Sequence, residues 1–156
     1  MPAAYADMRL ITLGSAPTTI TVGGSYYKAA GQTQIQNNIL FDDGAGGTGS
    51  PGNYNKLRYT GTATRLFLVT VAAEIGRDTG SGTVGGISLF YNSKAFIPPV
   101  DMNVRLGGGV NDPGEGALTA IVSLSTNWYL ELRVTSDTSL DTVRWRAGQM
   151  SIISIT

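Results

Sequence analysis

The sequence contains neither cysteine nor histidine. Without cysteine, disulfides, thiolate metal sites and thiol nucleophiles are excluded, and without histidine the usual general base and the commonest metal ligand are missing. Charged residues make up only 14% of the chain, and 11 basic residues balance 11 acidic ones. A neutral chain has no long-range field to attract nucleic acid or an anionic membrane, so neither is expected as a partner.

Long hydrophobic runs are also missing. No apolar stretch approaches the ~20 residues that a membrane-spanning helix needs, and the N-terminus lacks the basic start and apolar segment of a secretory signal. We therefore expect synthesis in the cytoplasm and, if the protein leaves, a route other than general secretion. What the 156 residues do contain is 21 glycines, 6 prolines and 42% hydrophobic residues. This composition is typical of a strand-rich globular domain.

The clearest strand pattern lies at Asn127–Thr135, where apolar and polar residues alternate. One side is predicted to face the core and the other to be wetter; the core side carries Trp128, Leu130, Leu132 and Val134, and the wetter side carries Tyr129, Glu131, Arg133 and Thr135. The final segment alternates in the same way through Trp145. We expect it to be the neighbouring strand, so that Trp128 and Trp145 would form a joint apolar anchor.

A second strand, Thr64–Ile75, is apolar on both faces. Phe67, Val69 and Val71 share one face, and Leu66, Leu68 and Ala72 share the other. A strand of this kind is covered on both sides. The second cover is either another subunit, or a neighbouring loop or the N-terminal segment; the sequence leaves both open.

The chain is predicted to be one all-β domain preceded by an arm. Residues 1–25 are interpreted as an N-terminal arm with short extended pieces, and residues 26–156 as the domain. Short strands with turn signals between them favour a β-sandwich or barrel, and no stretch predicts a helix. Two glycine-rich segments, Gly44–Asn55 and Gly107–Gly116, are predicted to be surface loops.

The sequence carries few signs of catalytic chemistry. Neither glycine-rich loop carries the Gly-Lys-Ser/Thr ending of a phosphate-binding loop, and no Gly-x-Ser-x-Gly is present. Calcium at Asp42/Asp43 or Asp137/Asp141 is an alternative to plain turns, but no EF-hand spacing supports it. We therefore expect no catalytic residues, no metal site and no cofactor, and hence no enzyme.

Arginine and tyrosine side chains offer two further alternatives. Arg133, Arg144 and Arg146 could together grip a carboxylate or phosphate, or they could form a solvated or salt-bridged strand face. Four tyrosines could offer sugar-stacking surfaces, or they could be scattered exposed aromatics that need no such explanation; they are Tyr26, Tyr27, Tyr54 and Tyr59. In both cases the second interpretation is favoured.

From residue 26 onward the order of motifs resembles the jelly-roll domains of tailed-bacteriophage virion proteins, which are related in architecture to tumour necrosis factor and the complement globular head. The motifs are KAAGQT, FDD, KLRYTG, RLFLVTVAA, ISLFYNSK, ALTAIVSL, NWYLELRVT and MSIISI. One departure is visible. Such domains often have Gly-Asp before the strand that here follows Thr126-Asn127, although asparagine can hold the same tight turn.

The resemblance implies an all-β jelly-roll sandwich of short antiparallel strands that assembles as a homotrimer. It suggests a trimer interface at Leu66, Leu68, Ile153 and Ile155. An N-terminal arm in such a trimer would contact the capsid, and the residues predicted for this contact are Met8, Arg9, Leu10 and Ile11. No heptad or Gly-x-y shaft precedes the domain, which favours a compact capsid protein over a fibre tip.

The favoured function is thus a capsid cement or decoration protein that binds the major capsid protein and stabilises the exterior of the shell. The alternative within phage is a tail-fibre or receptor-binding head that recognises a host glycan or protein. A third possibility, from another class, is a cellular sugar-binding lectin unrelated to phage.

Overall fold

The computed structural model describes residues 3–10, 17–30, 33–43, 56–107 and 112–155. The described residues form antiparallel strands and contain no helix, hence none long and apolar enough for a membrane crossing. In chain order the strands are β1 (Tyr5–Leu10), β2 (Thr18–Thr19), β3 (Tyr27–Lys28), β4 (Thr33–Ile39), β5 (Phe41–Asp42), β6 (Lys56–Tyr59), β7 (Arg65–Thr79), β8 (Val84–Tyr91), β9 (Lys94–Arg105), β10 (Gly114–Leu124), β11 (Tyr129–Ser136) and β12 (Thr142–Ser154).

The strands form two sheets that pack face to face. The first sheet has the order β10-β7-β12-β1-β4, and β2 pairs with one end of β12. The second has the order β5-β6-β11-β8-β9, and β3 pairs with β11. The all-β prediction is confirmed. The predicted loop at Gly44–Asn55, and part of the loop at Gly107–Gly116, lie outside the described residues.

The core lies between the sheets and is built from the inward sides of their strands. Phe67, Val69 and Val71 on β7 and Leu130 and Leu132 on β11 are all buried in it. Edge-on and tilted aromatic rings fill one end, with centroid distances of 5.1–5.5 Å among Phe41, Tyr59 and Phe67. The inward faces predicted for β7 and β11 are therefore confirmed.

The predicted pairing of the two tryptophan segments is wrong. β11 pairs with β3, β6 and β8, whereas β12 lies in the other sheet. Trp145 is buried, and its indole N–H donates to the Ala147 carbonyl at 2.7 Å across a register break in β12. Trp128 is only half-buried and stacks on Tyr91 at 5.2 Å. Alternation predicts which face a residue lies on, but it does not predict which strand lies alongside.

The segment predicted as an arm contributes an interior strand of the first sheet. β1 pairs with β12 on one side and with β4 on the other, and Met8 is fully buried. Thr18 and Thr19 of β2 join the same sheet through β12. Residues 5–10 are thus part of the sandwich, because Ala4, Ala6 and Met8 point inward at alternate positions.

Two turns use left-handed backbone. Asn127 has a φ of 65°, so asparagine takes the left-handed position expected before β11. Asn92 and Ser93, with φ of 45° and 63°, make the tight turn between β8 and β9.

Strand β9 runs through Pro98-Pro99, but its ladder with β8 is interrupted there. Ala95 pairs with Phe90 and Val100 pairs with Leu89, and the residues between Ala95 and Val100 have no partner in β8. Because proline cannot donate to a ladder, a break of this kind in an edge strand accommodates it.

Candidate interaction surfaces

An apolar row crosses the outer face of the first sheet. It consists of Ile39, Tyr5, Ile153, Leu68 and Ile121, one from each strand between β4 and β10. The strand register places each directly opposite the next, through the pairs Tyr5–Ile39, Tyr5–Ile153, Ile153–Leu68 and Leu68–Ile121. Ile121 is 65% exposed and Ile153 is 48% exposed. Scattered exposed apolar residues are ordinary, but a continuous row across a sheet marks a contact surface.

The four residues predicted for a trimer interface all lie on this face. Leu68 and Ile153 belong to the apolar row, and Leu66 and Ile155 lie one step further along the same strands. The Ile155 N–H donates to the Leu66 carbonyl at 3.0 Å, which holds the two side by side. Both side chains are more than 40% exposed. The fold brings these residues together, and their role in a trimer stays a prediction.

Away from the apolar row, the outer face of the first sheet first carries polar side chains and then forms a shallow depression. Ser151 donates to Asp7 at 2.6 Å and accepts a 2.7 Å hydrogen bond from Gln149. Beyond them, small side chains leave an open depression of about 480 Å³ beside Glu74 and Glu115, which face each other across β7 and β10. The apolar character is therefore confined to one end of the sheet.

The residues predicted to contact the capsid do not share one surface, because successive residues of β1 point to opposite sides of the sheet. Met8 is buried between the sheets, whereas Arg9 is exposed on the outer face. Leu10 ends β1, and Ile11 lies outside the described residues. Since a side chain enclosed in the core cannot contact a capsid, the prediction stays open for Arg9 and not for Met8.

The outer face of the second sheet carries a network of charges and rings. Glu131 is only 1% exposed and accepts a 2.8 Å hydrogen bond from the Arg133 side chain. The Arg133 guanidinium lies 4.3 Å from the centroid of the Phe90 ring, and the Lys56 ammonium lies 4.4 Å from that of Tyr129. The face predicted to be wet is thus largely covered by its own long side chains.

Solved structures share the fold of this chain, but no known family matches its sequence. No family profile and no curated protein matches the chain. Solved structures do match: the vertex protein P5 of phage PRD1 (TM-score 0.55, 8% identity, 100% of both chains), the globular domain of zebrafish complement 1qA (0.53, 9%, 99% of this chain and 98% of that one) and Eiger TNF from S. frugiperda (0.55, 10%, 100% and 94%). The chain has the TNF-like and C1q-like jelly-roll fold. At such identities the likeness shows the fold alone.

The carboxylates considered for calcium serve as hydrogen-bond acceptors inside the jelly roll. Asp42 forms a two-bonded pair with Arg58, with N–O distances of 2.8 and 2.7 Å. Asp141 is buried and accepts the N–H groups of Ser81 and Gly82, and Asp137 accepts that of Thr83. Within the described ranges no three acidic side chains cluster as metal ligands would. These aspartates tie turns together.

The arginine trio is divided between the two sheets. Arg133 belongs to the second sheet and pairs with Glu131, whereas Arg144 belongs to the first and pairs with Asp78 at 2.8 Å. Arg146 lies at the register break of β12, also in the first sheet. Because Arg133 lies on a different sheet from Arg144 and Arg146, the three guanidinium groups do not form a joint anion grip. Arg133 and Arg144 each carry the salt bridge that the favoured interpretation expected.

Tyr26 extends over the outer face of the second sheet, where its hydroxyl donates to Asp101 at 3.3 Å. Burial, the Asp101 charge and this hydrogen bond raise the pKa of Tyr26 to about 12. We expect Asp101→Asn to lower the Tyr26 pKa while leaving it above its ordinary value, because the burial remains. A pH titration of the Tyr26 ring carbon signals by NMR measures this. Asp112→Asn is the control, and an unchanged Tyr26 pKa in Asp101→Asn would contradict the assignment.

Proposed function

We propose that this protein is a non-enzymatic structural component of a phage virion. It would be a homotrimeric capsid cement or decoration protein that binds the major capsid protein on the capsid exterior and stabilises the shell by binding alone. The observation that carries the proposal is the apolar row, with Leu66 and Ile155 beside it, on the outer face of the first sheet.

An apolar face of this kind favours a partner with a matching surface. Each of its isoleucines would lose a hydrated surface on association, and burial of one such side chain contributes about 1.5–3 kcal/mol. A second copy of the chain supplies the same row, and closed symmetry lets every copy use it in the same way. Three copies around one axis would cover the row and leave the second sheet outward.

The virion setting is supported by the phage neighbour. A vertex protein of phage PRD1 shares the fold over the full length of both chains. A trimer on a shell presents three equal attachments, so that weak individual contacts add up to firm binding. The bonds across β1, β12 and β7 make the attached unit a rigid sheet that can bridge neighbouring capsid subunits without deforming.

The cement role is tested on capsids from the source phage that lack this protein. We expect the purified protein to raise the temperature at which such capsids release their DNA, because a ligand that binds only the intact shell stabilises it by mass action. A fluorescent DNA dye records the release. Leu68→Asp, which is designed to prevent trimer formation, should give a smaller shift. No shift at saturating wild-type protein would contradict the cement role.

A further inference from the structure

Three cations converge on one carboxylate at the outer face of the second sheet. This cation cluster consists of Lys28, Lys56 and Arg133, and the carboxylate is that of Glu131. The strand register sets Lys56 directly opposite Glu131 and Lys28 directly opposite Arg133. Like charges that face each other across a strand pair are destabilising, so the Lys28–Arg133 pair needs a compensating anion.

Glu131 satisfies only one member of the cation cluster. Arg133 donates to it with two nitrogens, whereas the Lys28 and Lys56 ammonium groups form no hydrogen bond or salt bridge in the described part of the chain. The Lys56 ammonium contacts only the face of the Tyr129 ring there. Desolvation lowers the pKa of Lys28, the Lys56 and Arg133 charges lower it further, and Glu131 opposes these effects only in part. The cation cluster therefore carries two uncompensated positive charges in a chain whose net charge is zero.

The remaining nearby acids are already engaged. Asp42 is bonded to Arg58 on the neighbouring strand pair, and Asp43 also faces that arginine. Asp101 accepts the Tyr26 hydroxyl and lies on β9, two strands from Arg133, with Ser88 between them. None of these acids reaches the cation cluster, so an anion from outside the chain is what would complete it.

We propose that the cation cluster, with Tyr26 and Asp101 beside it, binds the carboxylate of an acidic sugar residue. The lysine and arginine side chains would donate charge-assisted hydrogen bonds to the carboxylate of the sugar. Asp101, which is exposed, and the Tyr26 hydroxyl lie two strands away, within the span of a hydroxyl-bearing saccharide. The same Asp101 and the adjacent Glu131 repel a polyanion such as an acidic peptide, whose every residue is charged. The sugar site goes beyond the cement role and does not depend on it, because it lies on the sheet opposite the apolar row.

The probe is a disaccharide of one glucuronic acid and one neutral hexose, which carries a single carboxylate, and its methyl ester is the uncharged match. Calorimetric titration should show binding of the acid that weakens as salt rises, and binding of the ester at least about tenfold weaker. NMR should show the Lys28 side chain titrating at a higher pH in the complex, because a bound anion favours its charged form. Equal binding of acid and ester, or no binding of either at millimolar concentration, would overturn the proposal.

Lysine variants test whether binding depends on the cation cluster or only on the total positive charge of the protein. Lys28→Gln and Lys56→Gln should each weaken binding of the acid by about five- to tenfold, whereas Lys94→Gln, the lysine outside the cluster, should leave it unchanged. Arg133 is kept, because its loss would leave Glu131 buried without its partner. A short poly-glutamate peptide that bound as tightly as the sugar would overturn the assignment to a saccharide. The capsid assay is independent of each result.

Discussion

Replacing Leu68 by aspartate is expected to convert the proposed trimer into monomers. Leu68 is the fourth of the five residues in the apolar row and lies directly between Ile153 and Ile121. In the proposed trimer an aspartate there would place a carboxylate in an apolar contact without a cation, at a cost of several kcal/mol per buried charge. Sedimentation velocity at micromolar concentration measures the change in mass directly. The effect should be all-or-none, because all three copies carry the charge.

The control must add the same charge elsewhere. Asn103→Asp does so on β9, where the side chain is exposed in the second sheet, and it should leave the trimer intact. Circular dichroism must show that both variants keep their strand content, since Leu68 is only partly exposed in the single chain. A folded Leu68→Asp protein of unchanged oligomeric mass would remove Leu68 from the interface. A wild-type protein that sediments as a monomer would remove the trimer itself.

The sequence predicted which side of a strand faces the core, but it did not predict which strands lie side by side. In β7 the two apolar sides were visible as alternating residues, and the structure confirms that Phe67 points inward while Leu66 points outward. The same alternation could not show that Ile39 and Tyr5 continue the row of Leu68, because that requires the register of strands far apart in the chain. The four predicted interface residues were therefore accessible from sequence, and the complete row was not.

Other features were hidden for different reasons. The short extended pieces predicted for residues 1–25 did not include a place for β1 inside the first sheet, because its inward residues are only alanines and Met8 and the pattern is weak beside that of β7. Glu131 was predicted to lie on a wet face, whereas Arg133 pairs with it and the two lie among long side chains that exclude water. The pairing of Lys28 with Arg133 joins residues 105 positions apart, a fact of tertiary structure that no local motif carries.

Removal of the Asp141 carboxylate is expected to destabilise the protein by about 3 kcal/mol, within the range for a buried carboxylate whose loss orphans its donors. Asp141 is 1% exposed and accepts the N–H groups of Ser81 and Gly82 at 3.0 Å and the Ser136 hydroxyl at 2.6 Å. It joins the turn after β7 to the segment after β11. In Asp141→Ala the Gly82 N–H, which is buried, would have no acceptor. Urea unfolding at one protein concentration measures the loss.

Gly82 shows how closely the turn is fitted to this carboxylate. A Cβ at position 82 would lie 2.2 Å from an Asp141 oxygen and 2.2 Å from the Ser136 hydroxyl. An Asp137 oxygen would lie 2.6 Å from the same Cβ. Gly82→Ala should therefore destabilise the wild type, and less so once Asp141→Ala has removed one of these three clashes. The double-mutant cycle should show a coupling of at least about 1 kcal/mol, because the two side chains compete for one space. Strict additivity would contradict the packing described.

Asp137 provides the matched control, because it also accepts backbone N–H groups of this turn but is exposed. Desolvation is the largest single effect and raises its pKa, but the hydrogen bonds from Val84, Thr83 and Thr138 together outweigh it and lower the pKa overall. Its contribution to stability is thus present above the ordinary aspartate pKa and is lost as pH falls through the lowered one. Asp137→Asn should cost less than Asp141→Ala at pH 7, and that cost should fade in acid. Equal losses of stability in the two variants at pH 7 would contradict the expectation that burial makes the Asp141 hydrogen bonds contribute more than those of Asp137.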